Sequence, residues 1–432
     1  MTGRQRLARV AYSALLSLLT PAYLLRLWWR GRAEPLYRHA IGERLGRYGG
    51  VATGEWVWVH AVSLGETRAA AALVEALRRA RPGMQLLLTH GTATGREAGA
   101  SLLQPGDRQL WLPFDTPVAV HRFFARFRPA VGVLMETEIW PNLLHAASGF
   151  GVPMVLANAR LSDKSRRKGE RLSAIMRPAV ETLALVLAQT AADAERLRAG
   201  GAKTVEVCGN IKFDMNPEVA QLARGREWRI LDTRPIVLGA STREGEEAMV
   251  LTAWHRFSPS TPDPRPRLLI VPRHPQRFDE VATLIAQAGF GLARRSRWGD
   301  RPDDAALAAD VWLGDSMGEM ALYYAVADVA LLGGSFAPLG GQNLIEAAAC
   351  GTPVVMGPHT FNFEQAAELA IACGAALRVA GIDEGVRNAL ALTQPGKREP
   401  MARHALEFAL EHRGAAQRMA ERIVALAFSG SR

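Results

Sequence analysis

Glu66 is the first residue in the chain whose type and place invite chemistry. Residues 56–62 are β-branched or bulky and read as a buried strand, Ser63-Leu64-Gly65 reads as a tight turn, and Thr67 to Ala80 has helical periodicity. A carboxylate at that junction stands at the carboxyl end of a strand, where α/β sheets place their ligands. The helix dipole favours it as the anion, which is the form a general base needs. The same position also suits an ordinary first-turn acid with no chemical part.

Other polar residues follow the same logic. Met135-Glu-Thr-Glu138 comes after a predicted strand and puts Glu136 and Glu138 at its carboxyl end. Paired acids suit a metal, but no histidine or aspartate accompanies them, so acid/base or orienting roles fit better. Lys212, in Gly209-Asn-Ile-Lys-Phe-Asp214, follows the last predicted strand of the first half. Residues 160–171 are dense in positive charge and suit either a solvated helix face or contact with an anionic headgroup.

The second half carries features suited to phosphate. Gly239 to Gly245 joins a strand to a helix and offers backbone amides with the hydroxyls of Ser241 and Thr242. Arg273 and His274 follow the next strand as a cationic pair. Asp315, Ser316, Met317 and Gly318 form a further strand-to-helix turn. A glycine-rich loop from Leu332 then feeds a helix through Asn343, Leu344, Ile345 and Glu346. Four such turns at strand ends of one lobe converge on a nucleotide pocket. No Walker spacing is present, and no G-x-G-x-x-G run follows the first strand of either half, which disfavours ATP hydrolysis and dinucleotide redox chemistry.

The elements that must position these residues alternate along the chain. Strands are predicted at 56–62, 85–89, 109–112, 130–135, 154–157, 185–189 and 205–208, then at 236–239, 268–271, 311–313, 329–332 and 353–356, with helices between most of them. Alternation of this kind means parallel, doubly wound sheets. The predicted plan is an N-terminal anchor at 1–32, a Rossmann-like lobe at 33–214, a linker at 215–232, where the pattern lapses, and a second Rossmann-like lobe at 233–398. Helices at 399–432 are expected to pack back on the first lobe. Two lobes and a linker describe a cleft enzyme.

At 432 residues, 48% hydrophobic and 22% charged, the chain is globular and long enough for two or three domains. Its three cysteines have no paired spacing, which disfavours a disulfide framework or a zinc site. The net charge of +10 calls for an anionic partner. No nucleic-acid module is recognisable, whereas the basic residues crowd near the N-terminus, so a membrane surface is the better match. Val10 to Leu25 is uncharged for sixteen residues, holds Pro21, and leads into Trp28 and Trp29. It is shorter than the roughly 20 residues of an ordinary span and lacks a following cleavage site. An uncleaved anchor, either a short span or a helix lying in one leaflet, is expected, with the bulk of the chain on the cytoplasmic side by the positive-inside rule.

Taken in order, Ser63-Leu-Gly-Glu66, Met135-Glu-Thr-Glu138 with Trp140-Pro-Asn142, Asn158-Ala-Arg-Leu-Ser162, Gly209-Asn-Ile-Lys-Phe-Asp214, Pro272-Arg-His-Pro275, Gly314-Asp-Ser-Met-Gly-Glu319, and Asn343-Leu-Ile-Glu346 through Gly357 to Phe363 closely resemble the 3-deoxy-D-manno-octulosonic acid (Kdo) transferases of Gram-negative bacteria. The likeness runs from the anchor to about residue 380. Leu64 stands where many members have valine. The resemblance implies a GT-B glycosyltransferase at the inner membrane. It would take Kdo from CMP-Kdo to a phosphorylated lipid A precursor with inversion, using no cofactor and no metal. It further implies Glu66 as catalytic base and Glu136 and Lys212 as transition-state partners. The cytidine nucleotide would lie on Arg273 and His274, on Asp315 to Gly318, and on Asn343 to Glu346. Arg30, Arg32, Arg38 and the 160–171 cluster are candidates for the acceptor's phosphates. Rival expectations are another GT-B sugar transferase, a nucleotide-sugar 2-epimerase, or a silent nucleotide-binding membrane adaptor.

Overall fold

The computed structural model describes residues 2–50, 54–261 and 263–428. The chain divides into two compact units, one running to Asp214 and resuming at Arg413, the other Met215–His412. Each is built on a seven-stranded, all-parallel sheet. The first unit holds β1 Trp56–His60, β2 Gln85–His90, β3 Arg108–Trp111, β4 Val131–Met135, β5 Met154–Ala159, β6 Leu185–Ala188 and β7 Val205–Val207. The second holds β8 Ile236–Thr242, β9 Arg267–Pro272, β10 Leu292–Arg294, β11 Val311–Leu313, β12 Val329–Leu332, β13 Val354–Met356 and β14 Ala376–Arg378. The runs of Val, Leu, Ile and Trp read as strands because both sheet faces are covered: β1 and β4 are buried at every position.

Strand order decides where ligands can sit. The first sheet runs β3-β2-β1-β4-β5-β6-β7 and the second β10-β11-β9-β8-β12-β13-β14. In each, the chain reverses its direction of growth beside its first strand, between β1 and β4 and between β8 and β12. At such switch points two successive connections leave on opposite faces and open a crevice at the carboxyl ends. The residues after β1 and β4, and after β8 and β12, therefore border the two natural binding positions.

Four stretches differ from the sequence-based plan. Residues 215–232 do not run as a linker: Val219–Leu231 is a helix of the second unit, packed on the Met320–Val326 helix. Its amphipathic pattern is weak because the contact uses Gly225, where an added Cβ would lie 2.6 Å from Ala325 Cβ, and Trp228, buried against Trp298 and Trp312. Strands β10 and β14 were not anticipated; each has three residues at a sheet edge and little fully buried surface. The tail is shared between units: Pro395–Glu411 belongs to the second, and Ala415–Phe428 returns to the first, where Ala415, Ala416, Met419, Ala420 and Ile423 join the core under β1 and the Leu64–Ala80 helix.

The N-terminal helix, Gly3–Arg30, extends past the apolar run at both ends, and Thr2 caps its start with Gln5 answering in a capping box. It is long and apolar enough to cross a membrane. One side is docked on the first unit. Tyr12 Oη donates to Asp115 Oδ2 at 2.9 Å, Ser13 Oγ donates to Asn142 Oδ1 at 3.0 Å, and Leu27 is buried with Tyr37 and Ala93. Asp115 also accepts the amides of Asn142 and Leu143, so the N-terminal helix is keyed to the start of the Pro141–Gly149 helix. Leu7, Val10, Leu15, Leu18, Leu25 and Trp29 are exposed.

Candidate active site

The β1 turn builds the first part of the site. Ser63 caps the Leu64–Ala80 helix, and Glu66 stands at its third position. The Glu66 carboxylate folds back on the turn: Oε2 accepts the Val62 amide at 2.7 Å and Oε1 accepts the Ser63 hydroxyl at 3.3 Å. Ser63 Oγ in turn accepts the Glu66 amide at 3.4 Å, a variant of the S-x-x-E helix start in which the carboxylate takes the amide one residue before the cap, so the residue has a structural part whatever else it does. Its charge state departs from the dipole argument. Burial raises its pKa and the neighbouring Glu136 adds to that, against the Val62 and Ser63 hydrogen bonds and the Arg160 charge. A carboxylate so raised is the stronger proton acceptor once ionised.

The β4 turn, across the switch point, brings the other acids. Glu136 has φ +57°, a left-handed backbone that side chains seldom adopt and that clusters at functional turns. Its amide bonds to Ala157 O, and its Oε2 receives Arg160 Nε at 3.0 Å. Glu138 lies near both Glu66 and Glu136; burial first, and the Glu66 charge second, push it up to about 7. Three carboxylates with one arginine thus share the carboxyl ends of β1, β4 and β5.

Lys212 reaches this region by a detour. Its strand, β7, is at the sheet edge, three places from β4. Asn158, itself at φ +52° and fully buried, accepts the Ile211 amide on Oδ1 at 3.1 Å and draws the turn back along the strand ends. Asp214 then caps the Ala415–Phe428 helix by accepting the amides of Gly414 and Ala416, and Arg418 donates to Cys208 O at 2.9 Å. The tail helix thereby holds the Lys212 turn in place.

In the second unit the anticipated residues divide sharply. Arg273 and His274 follow β9, half-buried, and among the described residues their side chains make no hydrogen bond or ion pair. Nearby Arg277, by contrast, is held by Glu247 at 2.8 Å and Glu280 at 2.9 Å. Asp315 is engaged internally, accepting from Arg294 Nε at 2.6 Å and from the Ser296 amide and hydroxyl. Ser316 donates to Glu319, which also binds Arg224 and Arg295. This turn presents Met317, 63% exposed, and Gly318 at φ +79°. Asn343 caps its helix by accepting the Ile345 amide. Leu344 and Ile345 bury their side chains in the core, leaving only backbone to a ligand, while Glu346 is half-buried.

Glu246 was not anticipated. Its fully buried carboxylate accepts the amides of Arg243, Gly334, Phe336 and Ala337, at 2.6 to 3.1 Å, so several amides of the glycine-rich loop face a protein carboxylate rather than an outside anion. Gly333 is required there, because a Cβ would fall 2.2 Å from Ser241 O. Asn158 and Arg160 were likewise seen only as parts of a motif. Their signal, polar residues directly after a strand, was present, but their partners are remote in sequence.

Residues 39–215 match the family model described as 3-deoxy-D-manno-octulosonic-acid transferase (kdotransferase). Over 427 residues, 95% of this chain and 98% of the other, the sequence is 47% identical to a 3-deoxy-D-manno-octulosonic acid transferase of Bordetella pertussis. Among solved structures it resembles a glycosyltransferase from Rickettsia africae, with TM-score 0.57 and 12% identity over 88% of this chain and 100% of that one. It also resembles the UDP-GlcNAc 2-epimerase from Neisseria meningitidis, with TM-score 0.55 and 15% identity over 87% and 100%. At such identities these two likenesses bear on the fold alone, which is GT-B.

Proposed function

Because the chain belongs to the 3-deoxy-D-manno-octulosonic acid transferase family, and so is a Kdo glycosyltransferase, we propose that it moves Kdo from CMP-Kdo to a phosphorylated lipid A precursor at the cytoplasmic face of the inner membrane, with Glu66 as general base. Glu66 takes the proton of the acceptor hydroxyl while that oxygen bonds to the anomeric carbon and the bond to the CMP phosphate breaks, in a single inverting displacement. The observation that carries this is the part-buried Glu66 carboxylate at the β1/β4 switch point, raised in pKa beside Glu136.

Glu136, held by Arg160, and Lys212, held by the Asn158-bound turn, set the charge around the reacting centre. Arg273 and His274 are the cations offered to the nucleotide phosphate, since their neighbours are already paired. Met317, Gly318 and the backbone at Asn343 to Glu346 are left to the cytidine. The docked N-terminal helix and its arginines support the membrane placement.

The test is a transfer assay with purified protein, CMP-Kdo and a tetraacylated lipid A precursor, read by mass spectrometry. A gain of one or more Kdo units is expected. A gain only with other nucleotide sugars, or epimerised donor without transfer, would replace this reading by a different GT-B activity. Arg273→Ala is expected to weaken CMP binding about tenfold, the value of one charge-assisted contact. Calorimetry that finds the same affinity in that variant would move the nucleotide elsewhere.

A further inference from the structure

Where the N-terminal helix crosses the Pro141–Gly149 and Ser173–Val180 helices, the three enclose a cavity of about 130 Å³. Its wall is apolar over most of its extent, formed by Pro141, Ile175, Pro178 and Ala179, with Arg9 and His145 as its charged or titratable members. The volume is of the order of the ~150 Å³ apolar cavities that accept a benzene-sized guest.

Arg9 is the anomaly. Its Nε is shielded from solvent without a hydrogen-bond partner, and its guanidinium has no ion pair among the described residues. Other described arginines with a shielded, unpartnered Nε are engaged through their remaining nitrogens: Arg44 donates to Gly91 O, Arg224 and Arg295 pair with Glu319, and Arg378 pairs with Glu368. A shielded N–H left without an acceptor costs about 1–3 kcal/mol, so the site calls for an anion. His145 does not supply competing positive charge: burial, and then the Arg9 cation, lower its pKa. The helix that bears Arg9 is, among the described residues, the one long and apolar enough to enter a membrane, and Leu7 and Val10, within two residues of Arg9, are 72% and 61% exposed. On the membrane placement proposed above, what reaches the cavity from that side is lipid.

We infer that this cavity seats the first few methylenes of one acyl chain of an anionic membrane phospholipid, with the lipid phosphate on the Arg9 guanidinium. The pairing suits both parts. The chain covers apolar wall that would otherwise face solvent, and a phosphate offers a guanidinium two parallel acceptors, which a lone water cannot. Lipid so placed is wedged between the anchor helix and the unit it docks on, and it stabilises that docking by mass action. The inference is independent of the transfer reaction.

The test offers dioleoylphosphatidylglycerol and, separately, dioleoylphosphatidylcholine to the full-length protein in neutral detergent, with adducts read by native mass spectrometry. A one-to-one phosphatidylglycerol adduct is expected at about one-tenth the lipid concentration needed for phosphatidylcholine. Arg9→Gln is expected to bring the two lipids level, and Ile175→Trp, which fills the cavity, to remove both adducts. Equal uptake by the unmodified protein, or a preference that survives Arg9→Gln, overturns the site. Displacement of phosphatidylglycerol by the lipid A precursor at one-tenth its concentration, about 1.4 kcal/mol tighter, would assign the cavity to the acceptor and overturn the phospholipid assignment. Loss of transfer activity with the lipid adduct intact would count against the proposed reaction alone.

Discussion

Glu66 and Glu138 sit in the same acidic cluster and are tuned in the same direction, but for different ends. Glu66→Gln keeps an acceptor for the Val62 amide and so should leave the melting temperature nearly unchanged. Turnover should fall about 10²–10⁴-fold, the range for a lost general base. Near-normal turnover in that variant would remove the base assignment. Glu138 is held up to about 7, above its ordinary value of 4.5. A carboxyl raised by folding contributes stability below its unfolded pKa and loses it as pH climbs through the folded value. Glu138→Gln should therefore be more stable than the unmodified protein at pH 8, by about 1–3 kcal/mol. That gain should vanish by pH 4.5. Urea melts of the two proteins at both pH values decide it, and equal stability at pH 8 counts against a raised Glu138.

Among the elements, the Ala415–Phe428 helix matters out of proportion to its place at the end of the chain. It covers the core with Met419 and Ile423, each worth about 1.5–3 kcal/mol in burial. Its start is tied to Asp214, two residues from Lys212. Ending the chain at Gly414 should abolish the cooperative melting of the first unit while leaving the second unit's melting transition in place. Scanning calorimetry showing two unchanged transitions would mean that the helix is dispensable. The Tyr12 and Ser13 contacts have a similar logic. They place the apolar N-terminal helix on a folded unit through its few polar side chains, which a freely projecting helix has no need to bury.

At the level of the molecule, two parallel sheets covered on both faces leave buried polar groups that must stay neutral. His60 and His90 lie on paired strands, and burial pushes them down to about 3 and about 4. The unfolded chain takes up these protons from about pH 6.5 downward, while the folded chain does not. The stability they contribute is thus present above 6.5 and lost as pH falls, at about 2 kcal/mol per histidine by pH 5. Glu138 acts oppositely in the same window, so acid weakens Glu138→Gln more steeply than the unmodified protein. The imidazole resonances of His60 and His90 should not titrate between pH 8 and 5 by NMR. A midpoint near 6.5 for either would mean that its burial is not maintained.

Much of this plan was legible in the residues. Long apolar runs such as Trp56–His60 and Val131–Met135 announce buried parallel strands because hydrophobicity is a local property, and acids or cations placed directly after them mark strand ends. Edge strands such as β10 and β14 escaped, since three half-buried residues carry little pattern. The run at Val219–Leu231 reads as helical and polar, but its place in the second unit did not show, because its contact face relies on a glycine and a tryptophan. What required the folded chain was every relation between distant segments. Strand order set Glu66 against Glu136 at the first switch point. Asn158 drew Lys212 back from the edge strand, and Arg294 and Ser296 engaged Asp315 while Arg273 kept its guanidinium unpaired among the described residues. Glu246 turned inward to hold the glycine-rich loop. These are choices of partner, made by packing and hydrogen-bond satisfaction over separations of tens of residues or more, and a linear pattern does not contain them.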